Sequence, residues 1–408
     1  MTDPESRVKP WYFKLHWQVV IALVLGVGFG WLAPGAATDI GFLGDLFLRL
    51  LKMIIIPLIF TSLVSGISSL GSARSVGRVG IRTMIYYTVS TTLAITVGLI
   101  LVNLIRPGDH LDFGRSEGLP EGIAATSQTL PDFLLRMVPD NIVAAMAAGE
   151  VLPVIVFAIL FGLFLTSLNG LNVEAVKRVV DGVLEVIQAL TLAIVKLAPV
   201  GIFALLAREV ARSGPGIIWD LRYYFMTVGL ALLVHATVTL PTILFVLGRR
   251  SPLAYARHMA PALATAFSTA SSSATLPLSM ECSEEAGNRR GVTSFVLPLG
   301  ATVNMDGTAL YEAIAALTIA QMYGVGLSVP QQALVLLTAL LASVGAAGIP
   351  MAGLVMLVVV LEAVGLPLQG IGTIIAVDRV LDMMRTATNV WSDMVGTAVV
   401  DRFEGSEA

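Results

Sequence analysis

The chain has 408 residues, of which 56% are hydrophobic and only 13% charged, with a formal net charge of −3. A soluble domain carries about a quarter charged residues, so this composition and a mean hydropathy of +0.85 exclude an ordinary water-covered protein and point to an integral membrane protein. The single Cys282 excludes an intramolecular disulfide and a cysteine-based metal cluster.

In chain order, the N-terminal "MTDPESRVKPWYFKLHW" starts acidic and lacks a short apolar core with a cleavage site, so it reads as a cytoplasmic lead-in rather than a signal peptide. A helix needs ~20 residues to cross the hydrocarbon core, and apolar runs predict spans near 15–33, 42–70, 80–105, 142–169, 178–211 and 220–248. Lys9 and Lys14 precede the first span. Arg74, Arg78 and Arg82 follow the second, Lys177 and Arg178 follow the fourth, and Arg249, Arg250 and Arg257 follow the sixth. The bias of Lys and Arg toward inner loops puts these ends in the cytoplasm, with Arg49, Lys52, Arg212 and Arg222 running against the trend. A multi-pass protein of the plasma membrane with both termini cytoplasmic is expected. The long polar loop "RPGDHLDFGRSEGLPEGIAATSQTLPD" lies on the other side. Its Gly-x-Ser-x-Gly match has no strand before it and no helix after it, and reads as chance.

After residue 250 the pattern changes. "APALATAFSTASSSATLPLSM" has two apolar arms of roughly 10 residues meeting at a serine cluster and Pro277, and "QQALVLLTALLASVGAAGIPMAGLVMLVVVLEAVGLP" repeats the form with a break at "GAAGIP". Such arms cover about half a bilayer, and backbone exposed at the turn is tolerated only inside protein or along a cavity. The reading is two re-entrant hairpins, each followed by a long apolar segment with polar residues at mid-depth, 291–322 and 369–400. Hairpin, span, hairpin, span is an inverted repeat of the kind secondary transporters use. No Gly-Lys pair occurs, which removes the P-loop and with it a pump driven by its own ATP hydrolysis; no His-Glu-x-x-His helix occurs either.

The last span, "AVDRVLDMMRTATNVWSDMVGTAVV", places Asp378, Asp382, Arg385, Asn389 and Asp393 within an arc of roughly 80°, with Thr386 at its edge. Charge facing lipid costs at least ~3 kcal/mol per residue, so this stripe must face the protein or a watery cavity rather than mark a surface helix. Arg385 can fork onto a carboxylate. If it merely pairs with Asp382 the site is structural. Otherwise Asp382 takes a ligand's ammonium, Arg385 takes its far carboxylate, and Asn389 and Asp393 suit a hard cation such as Na⁺. In "LGATVNMDGTALYE", Asn304 and Asp306 add oxygens, and Gly307 is expected to let the backbone unwind and aim carbonyls inward rather than to form an ordinary loop turn. Ser271, Ser272 and Ser273 offer hydroxyls and backbone N–H groups at a half-helix start, a favourable place for a carboxylate. Glu312 opens "EAIAALTIA", and no Lys or Arg occurs between 291 and 378. Desolvation disfavours a charged carboxylate there, which makes Glu312 a candidate proton carrier unless it faces a watery crevice.

"SSSATLP", "NMDGTALYE", "SVGAAGIPMAG" and "VDRVLDMMRTATNVWSD" closely resemble the glutamate transporter family, the dicarboxylate/amino acid:cation symporters, which includes archaeal aspartate transporters and animal excitatory amino acid transporters. The resemblance spans nearly the whole chain and is strongest over 264–400. It implies an all-α fold of eight transmembrane helices plus two re-entrant helical hairpins in inverted repeats, working as an elevator in a homotrimer. The static scaffold would comprise residues 1–78 and 109–213. The sliding transport domain would comprise helix 3 (79–108), helix 6 (214–250) and the core of hairpins and helices 7 and 8 (251–408). By the resemblance, substrate would touch Ser272, Thr308, Gly353, Asp382, Arg385, Thr386 and Asn389. Sodium would touch Tyr87, Ser90, Thr91, Gly300, Thr302, Asn304, Asp306, Asn389, Asp393 and carbonyls near Ser343 and Ala346. Ala270 stands where archaeal members have Arg, and Met383 where animal members have a basic residue, with Arg379 a different basic position. Glu312 matches the animal proteins that carry a proton.

The expected function is therefore Na⁺-coupled uptake of acidic amino acids, with or without a co-transported proton, and no enzyme activity. A proton-coupled C4-dicarboxylate or neutral amino acid symporter is the neighbouring alternative. An intramembrane aspartyl protease needs two aspartates sharing one proton, which Arg385 opposes, and its Gly-x-Gly-Asp signature is absent. A channel would repeat one filter motif, whereas these two hairpins differ. No nucleic-acid partner is expected.

Overall fold

A computed structural model describes residues 15–68, 74–111, 135, 138–168, 170–214, 216–345 and 352–405. Every regular element among them is helical. The helices are α1 Leu15–Leu32, α2 Pro34–Asp39, α3 Gly41–Ser68, α4 Arg74–Ile105, α5 Ile142–Ala148, α6 Val151–Ser167, α7 Leu171–Val195, α8 Ala198–Ser213, α9 Ile217–Val234, α10 Leu240–Ile243, α11 Pro252–Thr269, α12 Ser272–Glu285, α13 Arg290–Val303, α14 Asp306–Met322, α15 Val329–Gly345, α16 Ala352–Ala363 and α17 Ile371–Gly405.

Two expected spans are broken. The fourth ends a short helix at Gly149, whose φ of +77° gives the left-handed cap that only glycine adopts freely, and restarts at Val151. The fifth begins seven residues earlier than expected, at Leu171, and bends by 49° between its two helices. Pro199 sits in the first turn of the second piece, where its missing N–H and its restriction on Ala198 interrupt the ladder. The sixth runs through two π-helical turns, His235–Thr239 and Leu244–Gly248. Among the described residues, three helical stretches are long and apolar enough to span a bilayer, Pro34–Ser65, Arg78–His110 and Trp219–Gly248, and the bent pair makes a fourth. The remaining apolar helices are shorter, or carry charge like α17. Bulky apolar side chains such as Trp31, Phe164, Val186 and Phe245 are exposed, as lipid contact requires.

α11 and α12 pack against each other across a turn at Ala270, which holds φ of 50°. The arms are longer than expected, 18 and 14 residues, and Pro277 lies inside the second arm rather than at the turn. Ser271 caps α12, its Oγ accepting from the Ala274 N–H at 3.2 Å. α15 packs on α16 as a second hairpin, whose connecting residues 346–351 lie outside the described set.

α14 sits at the centre. All 17 of its residues are buried, so it has no solvent or lipid face. Small residues let the neighbours close in. A Cβ on Gly98 of α4 would lie 3.1 Å from the Leu310 carbonyl oxygen, and one on Gly307 would lie 2.7 Å from that of Arg385 on α17. Gly307 thus serves close helix approach, not unwinding. The ladder breaks one step earlier, where Asn304 (φ −101°, ψ 97°) and Met305 (φ −123°, ψ 61°) leave the helical region between α13 and α14.

Candidate functional site

The break at Asn304 and the polar face of α17 meet, and two clusters form. The first surrounds Asp306 at the start of α14. Its Oδ1 accepts from Thr91 Oγ1 at 2.6 Å and Ser90 Oγ at 3.3 Å, and its Oδ2 from Ser392 Oγ at 2.6 Å. His235 Nε2 lies 3.1 Å from the same Oδ2. Asn304 Nδ2 donates to Asp393 Oδ1 at 2.8 Å and to Ser392 Oγ at 3.0 Å. Tyr87 Oη donates to the Val296 carbonyl at 2.7 Å, and a Cβ on Gly300 would collide with Asp393 and come within 2.7 Å of that hydroxyl. Gly300 is therefore fixed by the approach of α17 and α4, not by backbone conformation.

Asp306 and Asp393 are both buried, and no Lys or Arg pairs with either among the described residues. Burying carboxylates with neutral donors alone is costly. No group of three or more His, Cys, Asp or Glu gathers among the described residues to hold a metal ion. The donor set is two carboxylates diluted with hydroxyls and amide oxygens, which suits a hard monovalent cation better than a transition metal.

The second cluster lies two to four turns back along α17. Arg385 is 1% exposed, and its Nη2 donates to Asp378 Oδ1 and Asp382 Oδ1, each at 3.1 Å. Arg379 Nη1 donates to Asp382 Oδ2 at 3.3 Å. The Arg385 guanidinium carbon lies 3.8 Å from the centre of the Tyr311 ring, a cation–π contact that holds its plane. Arg385 Nε and Nη1 are buried without a hydrogen-bond partner among the described residues. Pairing with the aspartates thus uses one nitrogen and leaves two nitrogens, with three N–H groups, for a further acceptor. A Cβ on Gly353 would lie 2.5 Å from Arg385 Nη1, so only glycine leaves room there.

Between the clusters, Asn389 Oδ1 accepts from the Gly307 N–H at 2.7 Å, and its Nδ2 donates to Thr308 Oγ1 at 3.2 Å. Thr386 is buried, its hydroxyl turned back to the Asp382 carbonyl at 2.9 Å. The structure thus brings together Thr308, Gly353, Asp382, Arg385, Thr386 and Asn389 at one end, and Tyr87, Ser90, Thr91, Gly300, Asn304, Asp306 and Asp393 at the other. Ser272 is buried at the start of α12 with no hydrogen bond to the Arg385 cluster. Thr302 is exposed and its hydroxyl bonds to the Leu299 carbonyl at 3.0 Å, so its side chain does not join the cation cluster. Ser343 is buried, with its hydroxyl on the Leu340 carbonyl at 2.8 Å. Ala346 lies outside the described residues. Glu312 is fully buried and neither carboxyl oxygen has a hydrogen-bond partner.

The sequence profile of the Sodium:dicarboxylate symporter family matches residues 15–403. The chain belongs to this family. It is 38% identical over 411 positions to the proton/glutamate-aspartate symporter of Escherichia coli (strain K12), covering 96% of this chain and 93% of that one. It is 35% identical to the proton/sodium-glutamate symport protein of Geobacillus stearothermophilus, covering 96% and 94%. It is 36% identical to the C4-dicarboxylate transport protein of Rhodopseudomonas palustris (strain HaA2), covering 99% and 92%. The chain is accordingly an integral membrane symporter and not an enzyme.

Sequence reasoning missed two members of this symporter's Asp306 cluster. His235 stands as the lone ionisable residue in the apolar run "LLVHATVTL", and an ionisable group inside a membrane is a functional candidate by default. Ser392 carried no such signal. It lies beside Asp393 in the sequence, but its bridge between Asn304 and Asp306 exists only because α17 packs on the break between α13 and α14.

Proposed function

We propose that the protein is a secondary active symporter that takes up acidic amino acids, glutamate and aspartate, together with Na⁺. The observation that carries this reading is the state of Arg385: fully buried, stacked on Tyr311, paired through one nitrogen and left with the N–H groups of two nitrogens unused among the described residues. A side-chain carboxylate of the substrate would take those donors, and Asp382 would take the ammonium. Na⁺, as cargo, would sit among the oxygens of Asp306, Asp393, Asn304, Ser90 and Thr91, neutralising carboxylates that no basic residue neutralises. Tyr87, Gly300, Thr302, Ser343, Ala346 and Asn389 would contribute carbonyls or hydroxyls as the chain tightens, and Ser272 the α-carboxylate contact.

Glu312 would carry a co-transported proton, since a buried carboxyl without a donor is most readily held neutral. The chain would work as a homotrimer with eight spans, two re-entrant hairpins and cytoplasmic termini. Residues 1–78 and 109–213 would form the static part, and 79–108, 214–250 and 251–408 the part that moves. The two clusters lie on helices assigned to the moving part, so substrate and Na⁺ would travel together.

C4-dicarboxylate uptake is the second reading, favoured by the contacts of Asp382: with a guanidinium on each oxygen it is already neutralised, as a substrate without an ammonium requires. Proteoliposomes loaded with the purified protein decide between them. Labelled glutamate should accumulate when a Na⁺ gradient is imposed, and unlabelled aspartate should compete better than succinate. Accumulation driven equally well by a proton gradient in Na⁺-free buffer would remove the Na⁺ reading. Preference for succinate would replace the amino acid reading.

A further inference from the structure

Asp378 and Asp382 face two guanidinium groups, Arg379 and Arg385, and the four charges balance without a substrate. The two arginines are not equivalent. Arg385 is 1% exposed, touches both aspartates at 3.1 Å and is stacked on Tyr311. Arg379 is 9% exposed, reaches Asp382 alone at a longer 3.3 Å, and its Nε has no hydrogen-bond partner. The next residue, Val380, is 47% exposed, so the rim of the protein is one position away. A long side chain beside that surface can swing its charged head off Asp382 while its stem stays packed. Arg385 has no such route.

Resting on the amino acid reading above, we propose that Arg379 is a specificity-determining residue that occupies Asp382 in place of the substrate ammonium and yields to it. An amino acid brings its own cation to Asp382, so Arg379 leaves for the rim and the charge of Asp382 stays matched. A dicarboxylate brings none, so Arg379 stays, and the site tolerates two carboxylates beside Asp382 only because Arg379 masks it. Arg379 thus sets how strictly the site demands an ammonium. Among the described residues its hydrogen-bond partner, Asp382, is on α17 itself, so a neutral replacement breaks no polar bond to α14 or α4.

The test is ligand-induced thermal stabilisation of the purified protein at saturating Na⁺ and fixed pH, which reads binding without requiring transport. Aspartate and succinate are titrated, the two differing chiefly in the ammonium. Arg379→Gln should weaken succinate about tenfold, the scale of one lost hydrogen bond to a charged group, while aspartate binds as well as before or more tightly. Arg379→Lys should restore the wild-type ratio. In an Asp382→Asn background, where there is no charge to mask, Arg379→Gln should no longer affect succinate. This double-mutant cycle isolates the pair.

Equal weakening of both ligands would overturn the proposal, because Arg379 would then hold the fold or touch a carboxylate common to both. So would an unchanged ratio in Arg379→Gln, a wild type blind to succinate, or a succinate effect that persists without Asp382. A wild type that binds succinate but not aspartate overturns the amino acid reading and this proposal together. A wild type that transports aspartate with an Arg379→Gln ratio unchanged overturns this proposal alone.

Discussion

Two polar clusters share one face of α17 and solve the cost of buried charge in opposite ways. Around Arg385, two aspartates and two arginines neutralise one another inside the chain. Around Asp393 and Asp306, two carboxylates receive only hydroxyl, amide and imidazole groups. The first cluster is complete in charge and incomplete in hydrogen bonds, since Arg385 Nε and Nη1 have no partner. The second is nearly complete in hydrogen bonds and incomplete in charge. In the proposed function, a ligand rich in acceptors would answer the first and a bare cation the second. Asn389 lies between them, bonded to the Gly307 N–H and to the Thr308 hydroxyl.

The strongest way to break the contrast is to remove charge from the cation cluster. Asp306→Asn and Asp393→Asn should each weaken Na⁺ by on the order of a hundredfold or more, as expected when a carboxylate at ~4 Å loses an attraction of about 4 kcal/mol. Thermal stabilisation of the purified protein by Na⁺ should disappear with it, since a ligand that binds only the folded state stabilises it by mass action. Stabilisation by Na⁺ that survives in both variants would show that the cation sits elsewhere.

Arg385→Cys attacks the other cluster. Glutamate affinity should fall about ten- to a hundredfold, the equivalent of 1.5–3 kcal/mol for a hydrogen bond to a charged group, and neutral amino acids should become acceptable. Competition against labelled glutamate measures both. Near-normal glutamate affinity would remove Arg385 from substrate binding.

Glu312 belongs to neither cluster, and Glu312→Gln sharpens the contrast by fixing that acid in its neutral shape. Wild-type substrate affinity should fall as pH rises through the range where Glu312 gives up its proton. The variant should hold its affinity across that range while uptake drops to exchange. Identical pH profiles would make Glu312 a packing residue.

The smallest effect expected is at His235. His235→Asn removes the ring nitrogen 3.1 Å from Asp306 and should lower Na⁺ affinity about fivefold, the worth of one net hydrogen bond of ~1 kcal/mol. Glutamate affinity at saturating Na⁺ should not change. A loss there equal to the loss in Na⁺ affinity would place His235 in the general packing of the core.

Much of this was legible along the chain. The polar stripe on α17 follows from helical periodicity and the cost of charge in lipid, and all of its charged members are buried. The two helical hairpins followed from the paired apolar arms, although the arms of the first run longer than expected, at 18 and 14 residues. Their geometry did not: Pro277 looked like the turn, yet it is accommodated inside α12 because a serine-capped helix had already started at Ser272. Gly307 looked like the point of unwinding, yet the unwound residues are Asn304 and Met305, because Gly307 is needed where Arg385 presses against it. Thr302 was placed with the cation ligands by its position in a motif; its side chain points out between buried Ala301 and Val303, about 100° round α13 from each.

What the sequence determined by itself is the membrane setting, the helical class and the identity of the charged residues that must be hidden. Each follows from transfer free energies and helix periodicity, which act within a single segment. What only the tertiary structure decided is which of those residues meet. Asp306 finds Thr91 and Ser90 from α4, His235 from the turn after α9 and Ser392 from α17. Those partners are 71 to 216 positions apart in the chain, and no local periodicity carries that information. The approach of small residues across α4, α14 and α17 sets the distances, and the distances decide that one cluster is balanced in charge and the other is not.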